Sequence, residues 1–145
     1  MIISLKKDYI WNTIGSLLQN AISPILLVIV TRINGIYDSG IFSFTFSIAI
    51  IFWAIAMWGG RTYQVSDIRK EFSHRNYIVS RFITGMVVMI FAFGFVTLNH
   101  YDDVKAQLLI ALTTVKVLES IADAYYGVLQ SHNKLYLTGK SLVYK

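Results

Sequence analysis

The sequence predicts an all-α integral membrane protein with four transmembrane helices and both ends on the cytoplasmic side. Three observations lead there. The 145 residues are 55% hydrophobic and 14% charged, with a mean hydropathy of +0.56, whereas soluble domains carry about 25% charged residues to keep their surface wet. Four apolar segments follow one another, each near the roughly 20 residues that a helix needs to cross a bilayer. The basic residues gather in alternate connections, which is how loop charge orients helices in a membrane.

The first segment, residues 9–31, follows Lys6 and Lys7 in the manner of a signal peptide. It is too long for the apolar part of one and has no small-residue cleavage site before Arg32, so it reads as a retained anchor. Asn12, Gln19, Asn20 and Pro24 make it too polar to meet lipid on every side, and one face is expected to turn to protein or water. Pro24 removes one backbone hydrogen bond and crowds the carbonyl of Asn20, so a kink is expected there. A functional hinge and a merely tolerated proline both fit.

The second segment, residues 39–60, holds no ionisable side chain between Asp38 and Arg61 and is the clearest span. The third, residues 77–99, is uncharged from Phe82 to Asn99 and begins with an interfacial lead-in from Tyr77 to Arg81. The fourth, residues 106–130, is the weakest because it contains Lys116, Glu119 and Asp123. Three such groups cost about 8 to 10 kcal/mol at the helix centre, and its apolar residues return roughly 4 to 6. Spacings of three and four place the three charges on one stripe, away from Leu108, Leu112, Leu118 and Ile121. That stripe must face a protein interior or a watery cavity.

With the amino terminus inside, the basic loop 61–76, the tail 131–145 and the other inner segments carry ten of the 13 Lys and Arg residues. Arg61, Arg69, Lys70, Arg75 and Arg81 are among them, and only Arg32 and Lys105 fall in the outer turns at 34–38 and 100–105. Trp11, Trp58, Tyr63 and Tyr77 lie near the expected interfaces.

Several chemistries are disfavoured. The net charge of +5 is spread along the chain without a basic tract, so no nucleic acid partner is expected. No cysteine is present, which removes disulfides, thiolate metal sites and a thiol nucleophile. Gly139-Lys140-Ser141 resembles the end of a phosphate-binding loop, but Lys134 stands where its first glycine belongs. His74, His100 and His132 fall in three connections and are not expected to converge on a metal or a serine. Neither a cofactor, nor a metal, nor an enzyme is expected.

The candidate site residues are Arg32, Arg61, Lys116, Glu119 and Asp123. The stripe of Lys116, Glu119 and Asp123 is either the wall of a polar cavity, with a coupling ion, or glue between helices. Glu119 and Asp123, four residues apart, repel when both are ionised, so they are expected to take up a proton, a cation or Lys116. Arg61, beside Gly59 and Gly60, suits an anionic headgroup or a pyrophosphate, although orientation alone also calls for basic residues there. Arg32 is harder to explain by orientation, since it lies on the outer side.

Three stretches carry a resemblance: SLKKDYIWNTIGSLLQNAISPILLVIVTRINGIYDSGIFSF at the start, GGRTYQVSDIRKEF after the second segment, and VLESIADAYYGVLQSHNKL in the fourth. Together they resemble the amino-terminal part of bacterial polysaccharide flippases, the Wzx-type repeat-unit exporters of the multidrug and oligosaccharidyl-lipid superfamily. The resemblance implies a flippase that moves polyprenyl-diphosphate-linked oligosaccharide to the outer leaflet for capsule, O-antigen or exopolysaccharide assembly. Its implied partners are that lipid-linked sugar, membrane lipids and other membrane proteins of polysaccharide assembly. Such flippases have about a dozen helices in two lobes that rock against each other, so this chain is expected to be a fragment corresponding to the first part of one lobe. A self-contained four-helix transporter that dimerises, and a membrane scaffold without transport, are the alternatives.

Overall fold

The computed structural model describes residues 2–67, 69 and 71–145, the side chains of residues 2–5 excepted. Lys70, counted above among the inner basic residues, lies outside the described residues. Among those described there are six helices and no strand: α1 (Ile2–Asn34), α2 (Ile36–Met57), α3 (Gly60–Ser66), α4 (His74–Leu98), α5 (Asp103–Ser131) and α6 (Leu135–Tyr144). The all-α expectation holds.

α5 is the central helix, and α2, α3, α4 and α6 all pack on it. Its buried strip runs Leu109, Thr113, Val117, Ser120, Ala124 and Gly127, at spacings of three and four. These are mostly small residues, which let helices approach closely where lipid gives no hydrophobic drive to associate. Phe52 and Ala56 of α2 meet Val88 and Ala92 of α4 and Val117 of α5 in the apolar core. Gly85 makes that contact possible, since a Cβ there would stand 2.8 Å from a Val117 methyl.

Outside this core α1 and α4 carry large exposed apolar faces. Ile83, Met86, Ile90 and Phe91 on α4, and Leu17, Ile25 and Val28 on α1, are exposed. In water such faces would drive association, whereas in a bilayer lipid covers them. Three stretches are long and apolar enough to cross a membrane: Lys6–Asn34, Ile36–Ser66 and His74–Leu98. α5, with 29 residues, has the length. Its charges set it apart, because every stretch of about 18 residues within it contains both Lys116 and Glu119.

The elements depart from the sequence reading at four places. First, α1 runs to Asn34 and only Gly35 separates it from α2, where an outer turn over 34–38 was expected. Gly35 has φ 90 and ψ 179, a conformation essentially confined to glycine. Second, the helix expected over residues 39–60 ends at Met57, and Trp58 and Gly59 form a turn; Pro24, exposed, lies inside the continuous helix α1. Third, the expected loop 61–76 contains α3, which follows a left-handed turn at Gly59 (φ 61). Beyond α3, the Asp67 carboxylate accepts from the amides of Glu71 and Phe72 at 3.1 Å each and from the Tyr77 hydroxyl at 3.2 Å. Ser73 then caps α4 by accepting from the Asn76 amide.

The fourth departure is the expected tail 131–145, which contains α6 docked along α1. Their seam is built on two glycines. A Cβ on Gly15 would stand 2.6 Å from the Gly139 carbonyl oxygen, and one on Gly139 would overlap the Trp11 carbonyl. Asp8 accepts from the Tyr136 amide at 2.7 Å, satisfying one of the unpaired donors at the start of α6. Lys7 lies over the Tyr136 ring and Lys140 over the Trp11 ring.

Candidate functional site

The three charges of the α5 stripe, Lys116, Glu119 and Asp123, divide between two clusters. On a wheel of 3.6 residues per turn Asp123 and Glu119 are only about 40° apart, yet they address different neighbours.

Glu119 faces α1 and α6. Its Oε2 accepts from Lys116 Nζ at 2.9 Å, and its Oε1 accepts from Lys145 Nζ at 2.7 Å and from Gln19 Nε2 at 3.2 Å. Lys116 is further held beside the Phe46 and Trp53 rings of α2, at 5.3 and 5.7 Å from their centroids. These contacts answer the polarity of α1, for Gln19 is one of the residues expected to avoid lipid.

Asp123 faces α3 and α4. Arg61 Nη1 donates to its Oδ1 at 3.1 Å, while Arg81 Nη2 stands 3.6 Å from its Oδ2. Arg61 also donates to Gln130 Oε1, from Nη2 at 2.9 Å and from Nε at 3.1 Å. Arg81, 3% exposed, is the most buried charge of the group. Its Nη1 donates to the carbonyls of Ala56 (2.8 Å) and Met57 at the end of α2, where helix carbonyls lack partners. The guanidinium lies across Gly60, where a Cβ would stand 2.8 Å from Nη2. Gln64 is seated in the same way over Gly127, and its Nε2 donates to the Ala124 carbonyl at 3.2 Å. Glycines at 60 and 127 therefore let α3 lie close enough to α4 and α5 to bring Arg61 onto Asp123.

A pocket of about 400 Å³ opens on this cluster, lined by Arg61, Thr62, Ser66, Arg81, Asp123 and Gln130 among others. It sits at the end of the bundle where α2 finishes and α4 starts. Two guanidinium groups share one carboxylate there, and one turn deeper Lys116 and Lys145 share Glu119. Four bases against two acids leave a polar layer with an excess of two positive charges. The expected mutual repulsion of Glu119 and Asp123 is thus answered by bases of this chain, and what the arrangement attracts is an anion.

Arg32 stands apart: it is exposed in the last turn of α1, with the whole length of α2, roughly 33 Å, between it and the Arg61 level. Pro24 lines none of these contacts. Arg81, expected as an inner orienting base at the end of the stretch after Arg61, is instead buried, and its register agrees, for Arg81, Gly85, Val88 and Ala92 form one buried row on α4. Gln64, Gln130 and Lys145 carry no comparable signal in the sequence, whereas Gln19 was among the polar residues of the first segment expected to face protein or water. His74 and His132, expected in separate connections on the inner side, lie with ring centroids 5.5 Å apart and planes tilted by 47°, while His100 lies beyond the far end of α4.

The fold and this site define a multi-pass helical membrane protein with a basic pocket at one end of its bundle. The sequence matches the family described as polysaccharide biosynthesis protein over residues 5–140, and the chain belongs to that family. No curated protein matches it, and neither does any solved structure.

Proposed function

We propose that the chain acts in a flippase that moves polyprenyl-diphosphate-linked oligosaccharide across the bacterial cytoplasmic membrane, supplying capsule, O-antigen or exopolysaccharide assembly. One observation carries this reading: two arginines, one of them almost fully buried, share a single carboxylate in a pocket at the end of the bundle that loop charge assigns to the cytoplasm. Guanidinium forks match phosphate oxygens bidentately, and a site with low-dielectric walls strengthens their pull on an anion. The substrate meets the same requirement, because its diphosphate is what must leave the inner headgroup layer. Membership of the polysaccharide biosynthesis family supports the sugar-linked cargo. Glu119, with Lys116, Lys145 and Gln19, forms a second polar cluster one turn deeper, on the side of α1 and α6.

The test is Arg61→Gln in cells that depend on this protein, with surface polysaccharide and membrane protein level measured together. Loss of a charge-assisted contact worth about 1.5 to 3 kcal/mol lowers export about tenfold or more at unchanged protein level. Undiminished export removes Arg61 from the path.

A further inference from the structure

The arginine pocket contains an unmatched pair. Arg81 Nη2 and Asp123 Oδ2 are both buried, both lack a hydrogen-bond partner, and face each other at 3.6 Å, beyond hydrogen-bond distance. Arg81 cannot close the gap by swinging freely, because its Nη1 is fixed on the Ala56 and Met57 carbonyls and its guanidinium is laid over Gly60. Asp123 is held on its other side, where Oδ1 accepts from Arg61. The carboxylate is therefore pulled by two cations anchored elsewhere and satisfies only one of them. Buried donors and acceptors left in this state are costly, and native structures keep few of them. Here the unused donor belongs to a side chain 3% exposed that lines an open pocket.

From this we infer that Asp123 is a built-in placeholder for the anion: its carboxylate occupies the arginines while the pocket is empty and gives up at least one of them when a diphosphate enters. The inference rests on the anion-pocket reading above and adds how the site is regulated. A diphosphate presents several oxygens and more than one negative charge, so it can engage Arg81 Nη2 and Arg61 together, which the single short carboxylate does not. Arg61 is the partner free to change hands. Its side chain is 30% exposed against 4% for Arg81, and Gln130 holds its Nε and Nη2 whether or not Asp123 holds Nη1. In the empty state the placeholder stops the two guanidinium groups from repelling each other inside the bundle. In the loaded state Asp123 becomes the like charge that weakens retention, which favours release once the anion has crossed. Affinity is thereby kept moderate, as a carrier that must let go of its cargo requires.

The experiment measures inorganic pyrophosphate binding by the chain in zwitterionic lipid nanodiscs, for wild type, Asp123→Asn and Gln130→Glu. Asp123→Asn keeps the side-chain shape and removes the competitor, so the Kd falls about tenfold. Gln130→Glu places a second carboxylate on Arg61 and raises the Kd about tenfold. It also decides the question if the Asn variant does not fold, because a carboxylate at 130 keeps Arg61 paired. Tighter binding by folded Asp123→Asn or, where that variant does not fold, weaker binding by Gln130→Glu supports the placeholder. Unchanged or weaker binding by folded Asp123→Asn or, where that variant does not fold, an unchanged or lower Kd for Gln130→Glu overturns it while leaving an anion pocket in place. No binding by wild type or by folded Asp123→Asn overturns both the placeholder and the anion reading. Displacement of bound pyrophosphate by polyprenyl diphosphate in the disc supports a membrane-borne ligand. Its failure to displace at excess overturns the proposed cargo and leaves the Asp123 result standing.

Discussion

Arg81→Met tests the architecture most directly, because Arg81 joins three helices through one guanidinium. Methionine keeps much of the side-chain length and removes the charge together with every donor. Two α2 carbonyls lose a charged donor, but unequally: Ala56 keeps a bond from Thr84 Oγ1 at 3.2 Å, so Met57 alone is stripped. Asp123 loses its second cation and keeps Arg61 at 3.1 Å. A hydrogen bond to a charged group is worth about 1.5 to 3 kcal/mol. Breaking a buried ion pair costs about 3 to 5 kcal/mol when one charge is left alone. Arg61 keeps Asp123 from that extreme, so the expected destabilisation is about 3 to 4 kcal/mol, chiefly the carbonyl bonds plus part of the pair. The assay is reversible unfolding in mixed detergent micelles, run as a cycle with Asp123→Asn. If the pair matters, the double variant loses less than the sum of the singles by about 1 kcal/mol or more. A loss below about 1 kcal/mol for Arg81→Met, or additivity within about 0.5 kcal/mol, refutes the reasoning.

Two further predictions concern glycines. Gly139→Ala forces α6 away from α1, because the new methyl meets the Trp11 backbone rather than a side chain that could turn aside. Overpacking of this kind costs about 1 to 3 kcal/mol, and the readout is tryptic cleavage after Lys140, which speeds up as α6 detaches. Cleavage at the wild-type rate contradicts the seam. Gly35→Ala has nothing within 4 Å to collide with, so its effect comes from φ 90 alone. It destabilises by about 1 to 3 kcal/mol in the same unfolding assay. An ordinary φ at this position would give the opposite sign, a gain of about 0.4 to 1 kcal/mol, so the direction of the shift decides.

The sequence reading succeeded where one residue type forces one outcome. Long apolar runs with no charge, such as residues 39–57 of the second segment, fall within a helix, here α2. Lys116, Glu119 and Asp123 had to find shelter, because their hydropathy cost exceeds what their own helix returns, and all three are paired. The reading failed where position depends on partners far along the chain. Periodicity places three charges on one flank of α5 but not which neighbour each one meets, and a difference of about 40° was enough to send Glu119 to α1 and Asp123 to α3 and α4. α3 and α6, with seven and ten residues, are too short to form on propensity, and each depends on glycine contacts that appear only once the helices are placed.

Those glycine contacts bear on the site itself. Arg61 is carried by α3, the shortest helix, which is held to the bundle where Gly60 meets Arg81 and where Gln64 meets Gly127. The residue that contacts Asp123 at hydrogen-bond distance thus sits on the element with the least packing of its own. Arg81 and Asp123 sit on the long helices α4 and α5, whose contact forms the core beside α2. A ligand that changes partners at this site therefore has one arginine that can move with its small helix and one that cannot. Exchange at Arg61 against a fixed Arg81 is the motion this packing permits at the lowest cost.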